Sequence, residues 1–122
     1  MRLQESGEMY LETIYVLSKQ KNGVHSIDIS EHLGYSKPSV SRAVGLLKKS
    51  GYIVIDEDNH ITLTDSGLET AKKIYDRHTL LTEMLVYLGV PEEIAVQDAC
   101  KMEHGISDES LEAIRRHMET YR

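Results

Sequence analysis

"SKPSVSRAVGLLKKSGYIVIDEDNHITLT", residues 36–64, decides the fold. Ser36 is a helix-capping residue, and Pro38 falls in the first turn, where a missing N–H costs nothing. Val40, Val44 and Leu47 recur at helical spacing and mark a buried stripe. The helix runs out at Lys48, Lys49 and Gly51; cations followed by glycine suit the negative end of a helix. Two β-branched runs, 52–55 and 61–63, flank a polar turn containing Asp58 and Asn59, which predicts a β-hairpin. A capped helix that leads straight into a hairpin is the second half of a winged helix-turn-helix.

The flanking sequence completes it. Upstream, Ser26 starts a short helix, "SIDISEHL", stopped by Gly34, and "LGYS" joins it to the helix at Ser36. Before that, Ser6 is expected to cap a first helix carrying Met9, Tyr10, Ile14 and Leu17 at helical spacing, ended by "KNG". Downstream, Thr64 caps a long fourth helix reaching about Leu88 and closed by Gly89. Pro91 opens a fifth helix ending near Gly105, and Ser107 caps a sixth. The expected fold is mainly α: a winged helix-turn-helix with a two-stranded wing at residues 1–70, then a helical domain at 71–122.

Composition narrows the function. A chain of 122 residues buries roughly 65% of its unfolded surface, enough for a core without disulfides. A single cysteine excludes an intrachain disulfide and fits a reducing, cytoplasmic setting. The apolar N-terminal stretch is interrupted by Glu12 and Thr13, so neither a signal peptide nor a membrane span is expected. A net charge of −6 argues against indiscriminate nucleic-acid binding. Between His32 and Ile55, however, Lys37, Arg42, Lys48 and Lys49 occur with no acidic residue among them. That segregation suits a small basic docking surface on an acidic body. With no Trp or Phe and seven scattered Tyr, a base-stacking platform for single strands is not expected.

The recognition helix would present Ser36, Lys37, Pro38, Ser39, Ser41, Arg42 and Lys48 to double-stranded DNA. Hydroxyls and lysines serve phosphates, and an arginine can pair bidentately with guanine. A solvated basic face on an ordinary amphipathic helix is the bland alternative. The capping serine, the proline, the acid-free window and the wing together favour DNA.

The only cysteine lies in "DACKMEHGIS", residues 98–107. On a helix, Cys100, Glu103 and His104 stand at i, i+3 and i+4 and share a face, offering a thiolate, a carboxylate and an imidazole. Such groups suit a divalent transition metal but leave it short of ligands. The triplet by itself reads more readily as a small inert thiol beside two ordinary helix-surface residues. His25, His32, His60 and His117 show no ligand pattern and read as surface or packing residues.

"GEMYLETIY", "SKPSVSRAV", "LTDSGLETAKKIYDRHTLL" and "DACKMEHGISDE" together resemble the diphtheria-toxin-repressor family, in order and over nearly the whole chain. That family comprises metal-dependent bacterial transcription regulators, among them iron-dependent repressors and manganese transport regulators. The resemblance implies a principal metal site of Met9, Cys100, Glu103 and His104. Met9 otherwise reads as core. It also implies a second site drawing on Glu12, which matches the manganese branch, and His78, with Glu103 as a bridge. Thr82 stands where the family often has a glutamate, and Glu83 is one residue late, rotated about 100° around a helix. Val96 stands where the iron branch tends to have a histidine. Thioether and thiolate donors favour iron(II), cobalt, nickel or zinc over manganese, and availability in the cell makes iron(II) the first choice and manganese(II) the second. A homodimer through the C-terminal helices is implied too, and the apolar content of "LLTEMLVYLGV" fits it. Larger members carry a further C-terminal domain, and this chain is expected to be a short form without one.

The expected function is metal-dependent repression of metal-uptake genes by a dimer on operator DNA, with no small organic substrate and no membrane partner. The alternative is a winged-helix regulator without metal control, sensing redox through Cys100. An enzyme is not expected: the sequence has no His-Glu-x-x-His, phosphate-binding Gly-rich loop or nucleophile elbow.

Overall fold

The computed structural model describes residues 5–121. Six helices and one two-stranded antiparallel sheet follow in the order α1 (Glu5–Gln20), α2 (Ser26–Leu33), α3 (Lys37–Lys49), β1 (Ile53–Ile55), β2 (Ile61–Leu63), α4 (Asp65–Tyr87), α5 (Glu92–Met102) and α6 (Asp108–Tyr121). The chain divides into two compact units, with the boundary inside α4 between Lys72 and Lys73.

The first unit is a winged helix-turn-helix. Leu11 and Ile14 of α1, Ile29 of α2, Val40, Val44 and Leu47 of α3, and Ile53 and Ile61 of the wing form one core, with Ala71 closing it. The α2–α3 turn is made possible by Gly34, whose φ of 72° is left-handed, a conformation glycine adopts at no steric cost. Ser36 caps α3: its Oγ accepts from the Ser39 N–H at 3.3 Å and donates to Ser39 Oγ at 2.9 Å. In the wing, Ile53, Val54 and Ile55 pair with Leu63, Thr62 and Ile61. A bridge not expected from sequence adds Val24 beside β2, its carbonyl accepting from the Ile61 N–H at 2.7 Å.

One helix start and one helix end differ from the sequence reading. Ser6 lies inside α1 rather than before it. The N-cap of α2 is His25, and Ser26 is the first helical residue. Asp28 serves that cap, its Oδ2 accepting from the His25 N–H at 2.8 Å. The carboxyl of Asp28 is held below its usual range chiefly by its bond from Lys21. The other difference concerns the end of α5, described below.

The second unit packs Leu80 and Leu81 of α4, Ala99 of α5, and Leu111 and Met118 of α6 into a separate core, joined by Met84, Met102, Ile106 and Ile114. Ser107 caps α6, accepting from the Ser110 N–H at 3.1 Å.

Thr64 ties the start of α4 to the wing, donating to the Gly51 carbonyl at 2.7 Å and accepting from the Gly67 N–H at 3.1 Å. Gly67 presses on β1's approach so closely that a Cβ there would collide with the Tyr52 carbonyl oxygen. Helix propensity alone favours alanine over glycine by about 1 kcal/mol. The backbone collision is worth about 1–3 kcal/mol in the other direction and cannot relax through a rotamer. Gly67→Ala is therefore expected to lower the urea midpoint without changing the m-value; an equal or raised midpoint would contradict this packing.

Candidate metal centre and nucleic-acid interface

The C-terminal unit centres on a carboxylate removed from water. Glu103 is 0% exposed. Its Oε2 lies 3.0 Å from Nδ1 of His78, and its Oε1 lies 3.3 Å from Nε2 of His104, whose side chain is 3% exposed. That second approach is not aligned as a hydrogen bond, and Oε1 has no hydrogen-bond partner among the described residues. A buried carboxylate oxygen left in this state costs about 1–3 kcal/mol or more, unless a cation completes it. A carboxylate flanked by two imidazoles, with one oxygen unsatisfied, fits a divalent metal ion.

Local structure explains how the donors meet. The helix α5 ends at Met102, three residues short of the sequence expectation. Glu103 is its C-cap, still in helical conformation (φ −62°, ψ −26°), with its N–H bonded to the Ala99 carbonyl. The helical spacing from Cys100 to Glu103 is thus kept, while His104 belongs to the turn that follows. The N–H groups of Gly105 and Ile106 both donate to the Met102 carbonyl, at 3.1 and 3.2 Å, and fold that turn tightly. Cys100 is half-buried one turn before Glu103. No group of three donors within 4.8 Å of one another includes its thiol among the described residues.

Thr82, which replaces the glutamate expected four residues after His78, donates its hydroxyl to the His78 carbonyl at 2.8 Å. It is thereby engaged within α4. Glu83 is exposed and lines a different face, with Asp76, Thr79, Arg115 and Glu119. From this unit the second expected site has only His78 and Glu103.

Sequence reasoning missed Arg77. Its Nη1 donates to the Glu103 carbonyl at 3.3 Å, and its Nη2 donates to Asp108 Oδ1 at 2.6 Å. The guanidinium thus ties both ends of the turn that carries Glu103 and His104. The signal was available only as an arginine next to His78, which spacing alone does not single out.

In the first unit, Met9 and Glu12 are half-buried on α1. The Met9 sulfur accepts a hydrogen bond at 3.8 Å from the hydroxyl of Tyr35, which sits in the turn before α3. Ser36, Lys37, Pro38, Ser39, Ser41, Arg42 and Lys48 are all exposed, while Val40 is 0%, Val44 4% and Leu47 3% exposed on the opposite side. Lys37 and Ser41 also line a shallow groove with Ser26 and Ile27 of α2. The Ser36 hydroxyl is already committed to the helix cap, so the cationic side chains and the Ser41 hydroxyl are the freer donors on this face.

Residues 2–61 match the family described as "Iron dependent repressor, N-terminal DNA binding domain". Residues 64–122 match "Iron dependent repressor, metal binding and dimerisation domain". An uncharacterised HTH-type transcriptional regulator of Methanocaldococcus jannaschii is 36% identical over 122 residues, 98% of each chain. The HTH-type transcriptional regulator MntR of Lysinibacillus sphaericus is 36% identical over 89% of this chain and 78% of its own. The solved structure of the manganese regulator SloR is similar at a TM-score of 0.81 and 26% identity, covering 98% of this chain. This chain spans 55% of the length of that structure.

If Arg77 fixes the ligand-bearing turn, Arg77→Ala releases it. Losing hydrogen bonds from a charged donor costs about 1.5–3 kcal/mol, which is about tenfold or more in local opening. Hydrogen exchange at the Gly105 and Ile106 amides should accelerate by at least that factor, with the α6 amides unaffected. Unchanged protection would show the turn to be held by its backbone alone.

Proposed function

The chain belongs to the iron-dependent repressor family of metal-dependent transcriptional regulators, and from that premise we propose that a divalent metal held at Glu103 sets its affinity for operator DNA. The observation that carries this reading is the fully buried Glu103 carboxylate between two imidazoles, with Oε1 lacking a hydrogen bond. Cys100, Glu103 and His104 are the ligands from the C-terminal unit, and the family resemblance adds Met9 of α1 as the fourth. Glu12 and His78 form the second, partial set. When bound, the ion supplies the positive charge that the carboxylates and thiolate lack. The thiolate and thioether favour iron(II), cobalt, nickel or zinc over manganese, and cellular availability makes iron(II) the first choice and manganese(II) the second.

The chain's own residues supply the route to DNA. A metal that takes the Met9 sulfur competes with the Tyr35 hydroxyl for it, and Tyr35 stands directly before the recognition helix. The metal favours whichever arrangement binds it better, and shifts the population by no more than that difference in affinity. The DNA-binding face is Ser36, Lys37, Pro38, Ser39, Ser41, Arg42 and Lys48 of α3 and its cap. Arg42 is the base reader; the lysines and hydroxyls serve phosphates.

The functional unit is a homodimer formed through the C-terminal helices. Val86, Tyr87, Leu88, Ile94 and Val96 are 40–68% exposed, an apolar surface that a second copy would cover. Two recognition helices then read half-sites one or more helical turns apart. Repression of metal-uptake genes in the cytoplasm is the setting this implies. No helix among the described residues is long and apolar enough to cross a membrane.

Two sets of substitutions separate the metal from the DNA face. Cys100→Ala and His104→Ala should each abolish the dependence of operator binding on added iron(II) or manganese(II) while the far-ultraviolet spectrum stays unchanged. A normal metal response in both variants would remove these residues from the site. Arg42→Ala should weaken DNA binding by about 1–3 kcal/mol, roughly 5- to 150-fold, with metal affinity unaltered. Unchanged operator binding would move base reading elsewhere on α3.

A further inference from the structure

A different set of donors converges at the tip of the wing. Ligand atoms of Asp56, Asp58 and His60 lie within 4.8 Å of one another. Nδ1 of His60 stands 3.3 Å from Oδ2 of Asp56. The other oxygen of Asp56, Oδ1, accepts from the backbone N–H groups of Asp58 and His60, both at 2.9 Å. The turn therefore uses one oxygen and directs the other at the imidazole.

The imidazole is held in place from behind. A Cβ at Gly23 would lie 2.6 Å from His60 Cδ2 and 2.7 Å from Nε2, so the ring rests in a space that only glycine leaves open. A second ring, His25, packs on it with 4.6 Å between centroids. His25 Nε2 lies 3.3 Å from the Asp58 carbonyl oxygen, which joins the wing tip to the N-cap of α2. No Lys or Arg occurs in the sequence between Lys49 and Lys72, so the wing brings no cation of its own. His60 was read from sequence as a surface or packing residue, because its partners are set by a turn and by a contact with residue 25.

We propose that the wing tip is a separate, weak site for a divalent transition metal, with Asp56 Oδ2, a carboxylate oxygen of Asp58 and His60 Nδ1 as ligands and water completing the shell. One nitrogen and two oxygens suit manganese(II), iron(II) or zinc(II). A bound dication would change the formal charge of Asp56, Glu57 and Asp58 from −3 to −1. Where the wing meets DNA, this removes repulsion from phosphates. That consequence rests on the DNA-binding reading; metal binding at the wing does not.

The test is a titration of manganese(II) alone into the full 15N-labelled chain, followed by paramagnetic broadening of amide signals. The expected result is broadening of residues 56–61 together with Val24 and His25. In Asp58→Asn and in His60→Asn the same broadening should require at least about tenfold more metal. Asp58 is exposed and the change preserves its shape, so that variant keeps the fold. Wing signals that stay sharp throughout, or broaden equally in wild type and Asp58→Asn, would overturn the proposal. A wing response without any response at His78 and Glu103 would instead overturn the C-terminal metal centre and leave this site standing.

Discussion

The C-terminal unit depends on one constraint, a carboxylate carried wholly out of water. Glu103 is 0% exposed and touched on both oxygens by imidazole nitrogens. Placing an ion there is costly by several kcal/mol unless opposite charge and hydrogen bonds compensate. The surrounding architecture supplies part of that compensation and leaves the rest open. His78 reaches the carboxylate from α4, His104 from the turn after α5, and Arg77 ties down the backbone between them. A fold built only for stability would place an apolar side chain at this position, since a hydrophobic isostere is often neutral or stabilising. Retaining the carboxylate makes sense for a site that binds a cation.

The N-terminal unit follows a different physical logic. Its core is apolar and continuous from α1 to the wing, and its polar groups sit outside. The charge balance of −6 overall, with an acid-free window from 32 to 55, makes α3 the basic element of an acidic chain. The positive charge of this segment is therefore concentrated on one helix and its flanks. The wing tip of the same unit is by contrast acidic, with Asp56, Glu57 and Asp58 in succession.

Much of this was legible in the sequence, for identifiable reasons. Ser36, Pro38 and Gly34 specify the ends of α2 and α3 through backbone rules that tertiary context rarely overrides. The β-branched runs and the turn at Asp58 and Asn59 specify the wing, and Asn59 adopts the left-handed φ of 64° that such a turn requires. The spacing of Cys100 and Glu103 drew attention to a segment whose Glu103 the structure buries completely. Missing were features set by contacts between distant residues: Arg77 with Glu103, Tyr35 with Met9, and His25 with His60. The start of α2 at Ser26 was legible, whereas Ser6 was read as a cap and lies inside α1. The end of α5 was overestimated because Glu103 and His104 look helical by pattern, while the turn folds on the Met102 carbonyl.

The most direct test of metal-controlled DNA binding is an anaerobic pull-down of fragmented bacterial genomic DNA by the full chain, with iron(II) or with a chelator. Enrichment of discrete fragments only in the presence of metal is the expected result, and repeating it with manganese(II) would rank the two ions. Equal enrichment with the chelator would contradict metal control and return Glu103 and its imidazoles to a purely structural role.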